Sequence, residues 1–189
     1  MKEPSSSDAG CRCNKAIATR EVHSPEAILE FWFNHCRPAQ WFRRDPRIDE
    51  TIRRRFGPSV DAALASHLDH WKASAPSALA LVLLLDQFPR NLWRGEAKAF
   101  AGDPKALAIS FHAEQQGWIA QEPIRPRRQF WLMPRLHCED LQVLNASLNL
   151  FDRWADPATL AIARRRRDEM AEHGRFLHRD RALGRTTTH

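Results

Sequence analysis

A chain of 189 residues with a net charge of +6 has the size of one domain, large enough to bury a core without disulfide or metal support. Its longest apolar stretch, Ala78 to Leu85, is too short to cross a bilayer, and the N-terminal region carries no apolar segment of signal-peptide type. These features exclude a helical membrane protein and predict a cytoplasmic one. Seven Trp and ten Phe, with no Tyr, supply the large apolar side chains of a core. Nearly all of the basic excess is arginine, which suits carboxylate or phosphate. No RNP signature, zinc-finger spacing or basic zipper accompanies it, which argues against nucleic acid.

Residues 1–22, with Ser5 to Ser7 in a row and little periodicity, read as a disordered leader. Cys11 and Cys13 within it lack a second ligand pair, so no metal site is expected there. Free thiols fit a reducing compartment. A single helical domain is expected over 23–189. Ser24-Pro25, Asp45-Pro46, Asp103-Pro104 and Asp156-Pro157 each place a capping side chain before a proline suited to the first helical position. Pro58 and Pro76 mark two further starts.

The first helix, Ser24 to Cys36, carries Ile28, Phe31 and Trp32 on one face. Asp45 to Phe56 carries Ile48, Ile52 and Phe56 at four-residue spacing. Pro58 to Lys72 follows. Pro76 to Phe88 is apolar nearly all round, the mark of a central buried helix. Pro104 to Gln116, a shorter helix over Arg128 to Met133, and Cys138 to Trp154 come next. Pro157 to His173 ends at Gly174, a natural C-terminal stop. The prediction is an all-α fold of antiparallel helix pairs. No repeat consensus emerges, so any superhelical array is degenerate.

Three segments break this apolar pattern. Asp86, Gln87, Arg90 and Asn91 stand at the end of the buried helix. Asp86 and Arg90 are four apart, as are Gln87 and Asn91, so each pair shares a face if the helix continues past Pro89. His137-Cys138-Glu139-Asp140 follows Pro134. Its acids suit a helix N-terminus, and His137 is a candidate acid/base. Arg175, His178, Arg179 and Arg185 then crowd the segment after Gly174, where guanidinium forks can hold an anion. His67 and His70 form no metal signature without acids nearby, and the runs Arg53 to Arg55 and Arg164 to Arg167 read as solvated helix faces. Trp41-Phe42 is a candidate hydrophobic staple.

The blocks LLDQFPRNLWRG, AFAGDP, PRLHCEDL and GRFLHRDRALGR, with ILEFWF near the start, resemble in content and order the bacterial family named domain of unknown function 924. The resemblance covers His23 to Thr187. It implies an all-helical, tetratricopeptide-like superhelix and carries no activity. The matching positions are Asp86, Gln87, Arg90, Asn91, Arg94, His137, Glu139, Asp140, Arg175, His178 and Arg185. Cys138, Leu177 and Asp180 depart from the family's usual Ser, Pro and Asn.

The leading expectation is a pocket where the three segments meet. Asp86, Gln87, Arg90, Asn91, Glu139, Arg175, Arg179 and Arg185 bind an anionic metabolite or peptide carboxylate there. Arg90, Arg175 and Arg179 hold the anion, Asp86 and Glu139 orient the polar groups, and His137 or His178 serves any acid/base step. No metal and no cofactor is called for. The alternative is a protein-interaction scaffold in which the same residues are internal struts, and a third reading is nucleic-acid binding through the arginine runs.

Overall fold

A computed structural model describes residues 21–186, and every regular element among them is helical. The helices are α1 (Pro25–Glu30), α2 (Pro38–Phe42), α3 (Pro46–Leu64), α4 (Ala75–Val82), α5 (Phe88–Leu92), α6 (Asp103–Gln115), α7 (Trp118–Gln121), α8 (Arg125–Leu136), α9 (Leu141–Trp154), α10 (Pro157–His173) and α11 (Asp180–Leu183). Single 3-10 segments lie at Asp69–Ala73, Ala97–Phe100 and Leu177–Arg179, and π-helical turns at Phe31–His35 and Leu83–Gln87. The expected leader, with Cys11 and Cys13, lies outside the described residues apart from Glu21 and Val22.

Most predicted starts are set by the expected chemistry. The Ser24 hydroxyl accepts from the Ala27 N–H at 3.3 Å, and the Asp45 carboxylate accepts from Arg47 N–H at 2.9 Å. Asp156 accepts from Thr159 N–H at 2.9 Å. Gly174 ends α10 with φ 67°, a left-handed conformation open to glycine. Several boundaries differ from expectation: the helix expected to reach Lys72 ends at Leu64, and the one expected to end at Phe88 continues through a π turn to Leu92. Pro58 opens no helix but lies inside α3. The apolar stripe explains this, because Ile52, Phe56, Val60 and Ala63 are all buried on the same core. The backbone carbonyl that loses its partner to the proline ring belongs to exposed Arg54. The helix expected from Cys138 begins instead at Leu141, because the Asp140 carboxylate caps Gln142 N–H at 2.8 Å. The short helix around Arg128 extends over Arg125–Leu136.

The centre is α4, which packs against α1, α6 and α8. All of Ala78 to Leu85 is buried. Around it Phe31, Trp32, Phe56, Phe88 and Phe130 form a chain of tilted and edge-on ring pairs with centroids 5.0–5.6 Å apart. Burying such a side chain stabilises the fold by roughly 1.5–3 kcal/mol. The outer layer is made by α8 on α9 and α9 on α10. No helix among the described residues is long and apolar enough to cross a membrane.

Candidate functional site

The site starts from a backbone irregularity. Pro89 has no N–H, so the carbonyl of Leu85, four residues earlier, cannot complete an α-helical bond. The chain widens here into the π turn Leu83–Gln87, closed by the Phe88 N–H donating to the Leu83 carbonyl. Such turns re-aim side chains within a helix. Gly102, just before α6, presses on the same place, and any side chain there would run into the Leu85 carbonyl. The turn presents Asp86 on the inner side, with no exposed surface.

A buried carboxylate needs charged and hydrogen-bonded partners. Asp86 accepts from His137 Nδ1 at 2.7 Å, stands 3.2 Å from Arg90 Nη1, and accepts from Gln87 Nε2. Burial pushes its pKa up, but His137 and Arg90 more than reverse this and hold it at about 2. An ionised carboxylate only accepts, so His137 carries its proton on Nδ1. Burial and then Arg90 push the His137 pKa down, against the opposing pull of Asp86. The ring is therefore neutral at pH 7, and its Nε2 is a lone pair with no partner among the described residues.

Asp103 ties the first and third segments together. Its carboxylate takes Arg90 Nη2 at 2.9 Å and stands 3.1 Å from Arg179 Nη1. Arg179 Nη2 donates to the His137 carbonyl at 2.8 Å. Its guanidinium lies over Phe100 at 4.5 Å and Phe176 at 5.2 Å, and its buried Nε has no acceptor. On the rim, Arg166 Nη1 donates to His178 Nδ1 at 2.9 Å and pairs with Glu169 at 2.9 Å. The guanidinium cannot accept, so the His178 proton sits on Nε2. Burial and then Arg166 push the His178 pKa down to about 4.

These groups border two adjoining clefts. The first, of about 460 Å³, is lined by Arg90, Arg94, Arg166 and Arg179, by His137 and His178, and by Phe42, Phe100 and Phe176 beside Gly95 and Ala99. No carboxylate lines it. The second, of about 370 Å³, shares Phe100, His137 and Arg179 with the first. Its remaining walls are Pro104, Leu107, Pro134 and Cys138, with Asp103 and Glu139.

The chain as a whole has relatives among known proteins. Residues 28–189 match the family described as a bacterial protein of unknown function, DUF924. The chain belongs to that family. The DUF924 chain is also similar to a solved structure titled a protein of unknown function, ATU0120, from Agrobacterium tumefaciens. The two are 36% identical over 87% of this chain and 92% of the other, with a TM-score of 0.81. No curated protein matches significantly.

The three sequence segments of this DUF924 member do converge, through the His137–Asp86 and Arg179–His137 contacts. Arg90, Arg179, His137 and His178 line the first cleft, Glu139 lines the second, and Asp86 and Gln87 are buried beneath. The others pair with acids outside the first cleft. Asn91 donates to Asp49 at 2.8 Å. Arg175 Nε donates to the buried Asp180 carboxylate at 3.2 Å. Arg185 makes a bidentate pair with Glu139 at 2.8 and 2.7 Å, and the same carboxylate takes the Phe176 N–H at 2.8 Å. Arg175 and Arg185 are thus not among the lining residues of either cleft. Sequence reasoning missed Asp103 and Arg166 as site residues, and gave no role to Phe100 and Phe176. Asp103 caps no backbone N–H of α6; its charge goes to the two arginines.

Of the positions that depart from the family pattern, Asp180 gains the ion pair with Arg175. The Leu177 N–H donates to Glu169 Oε1 at 3.0 Å, a bond proline cannot make. Among the described residues no cluster of His, Cys, Asp or Glu is arranged to hold a metal ion.

Proposed function

We propose that the first cleft is a binding site for a small anionic group, a carboxylate or phosphate of a metabolite or a peptide terminus. The observation that carries this reading is the lining itself: four arginines and two histidines, with no acid among them. Arg166 and Arg94 are the partly exposed cations at its edge, with side chains 27% and 35% accessible. Arg179 is held inside between two aromatic rings. A guanidinium keeps donors free after one carboxylate is satisfied, so each can serve an anion without leaving its partner. His137 Nε2, oriented by Asp86, is the acid/base candidate of the site, and His178 is a neutral donor through Nε2. In this reading the helix pairs form a degenerate tetratricopeptide-like array, with the cleft on its concave face.

A thermal-shift series with pyrophosphate, citrate and glutarate at low ionic strength tests the proposal. A bound anion at a hundred times its dissociation constant stabilises by about 2.7 kcal/mol. The stabilisation is expected to disappear in Arg166→Ala. Absence of any shift favours the second reading, a scaffold in which these groups are struts. The pairing of Arg175, Arg185 and Asn91 with acids supports that role for those residues. Steeply salt-dependent retention on DNA or RNA would instead favour nucleic acid.

A further inference from the structure

Two clefts that meet along one wall invite a ligand of two parts. The first cleft is cationic, as described above. The second differs in kind. Phe100, Pro104, Leu107 and Pro134 give it apolar walls. Its two carboxylates are already committed, Asp103 to Arg90 and Arg179, and Glu139 to Arg185 and the Phe176 N–H. Burial and Asp140 raise the pKa of the Cys138 thiol, so it lines the cleft as a neutral, weakly polar group. Away from the His137–Arg179 wall this cleft of about 370 Å³ presents mainly hydrocarbon, and can take an apolar group.

The junction carries unpartnered nitrogens. His137 lines both clefts, and its Nε2 is unpartnered. Arg179 lines both as well, and its buried Nε lacks an acceptor. Phe100 forms the third shared wall, beneath the Arg179 guanidinium.

We propose that the site takes an amphipathic anion: a compact carboxylate or phosphate head in the arginine-lined cleft, and an apolar arm of about six carbons in the cleft walled by Pro104, Leu107 and Pro134. The inference rests on the anion reading of the first cleft and adds the second half of the ligand. The head meets Arg166 and Arg94, the arm lies along Leu107, and the bond between them passes His137 Nε2. Burial of even two methylenes is worth about a tenfold gain in affinity.

Calorimetric titration of the full chain with inorganic phosphate, hexyl phosphate and hexanol tests this. Acetate and hexanoate run in parallel distinguish a phosphate head from a carboxylate head. Hexyl phosphate or hexanoate is expected to bind at least tenfold tighter than its short counterpart. Leu107→Gln, polar but uncharged, removes that gain and leaves the short anion's affinity unchanged. Pro104→Gln, at an exposed position of the same wall, serves if the leucine variant folds poorly. The six-carbon anion, and not the short one, also slows iodoacetamide labelling of Cys138, read on its own peptide. Equal binding of short and long anions overturns this inference and leaves the anion reading intact. Binding by neither overturns both. A gain that survives both cleft variants, with Cys138 unprotected, overturns the placement of the arm.

Discussion

Asp86 and Arg90 show how little freedom a buried charge has. Arg90 is held between Asp86 and Asp103 with its side chain 18% exposed. Arg90→Ala would leave Asp86 with only His137 and the neutral Gln87 amide, and breaking a buried pair costs about 3–5 kcal/mol. Arg166 lies on the rim against Glu169, where such pairs contribute about 1 kcal/mol or less. Urea denaturation of the two alanine variants should show that difference, and similar losses in both would contradict the assigned burial. The same residues set a pH dependence. His178 titrates at 6.5 in its ordinary state and at about 4 here, so between those values the unfolded chain binds the extra proton. Stability therefore falls as pH drops from 6.5 to 4, modestly for His178 because the residue keeps part of its surface in solvent, with the lowered pKa of His137 adding to it. A second loss follows as pH falls from about 4 to 2, where Asp86 is protonated in the unfolded chain before the folded one. A melting temperature that stays flat from pH 7 to 4 would contradict the neutral histidines.

Elements carry the site through their interruptions. The π turn at Leu83–Gln87 exists beside Pro89, and Gly102 fills the space against the Leu85 carbonyl that Pro89 leaves without an α-helical donor. Gly102→Ala forces that backbone contact apart. It should cost about 1–3 kcal/mol, as overpacking does, and calorimetric melting would show it; an unchanged melting temperature would mean the approach is looser than drawn. Much of this level is legible in the sequence. Capping pairs, the all-apolar α4 and the stop at Gly174 each have one local meaning. The stripe at Ile48, Ile52, Phe56, Val60 and Leu64 runs through Pro58 without a break, so the unbroken α3 was readable from periodicity despite the proline. Asp103 was not readable, because Asp before Pro already has a complete local meaning as a cap, and its partners Arg90 and Arg179 lie far away in sequence. Arg166 is likewise hidden within four consecutive arginines, of which the fold turns this one toward His178 and Phe176.

At the scale of the whole molecule, three segments separated by dozens of residues meet because α4 and α5, α6, and the turn after α8 pack around one point, while the chain beyond α10 closes over it. Much of the arginine excess is consumed in that packing: Arg53 donates to the Leu92 carbonyl, Arg125 to the Ala155 carbonyl and Arg135 to Ser110 and Glu114. Four more, Arg90, Arg94, Arg166 and Arg179, line the first cleft while paired with acids outside its lining. The most direct test of the account is a nitrogen-detected NMR spectrum of the histidine rings at pH 7, with and without pyrophosphate. The expected result is a neutral His137 protonated on Nδ1, a neutral His178 protonated on Nε2, and movement of both signals on adding the anion. A charged or Nε2-protonated His137, or two signals indifferent to pyrophosphate, would contradict it.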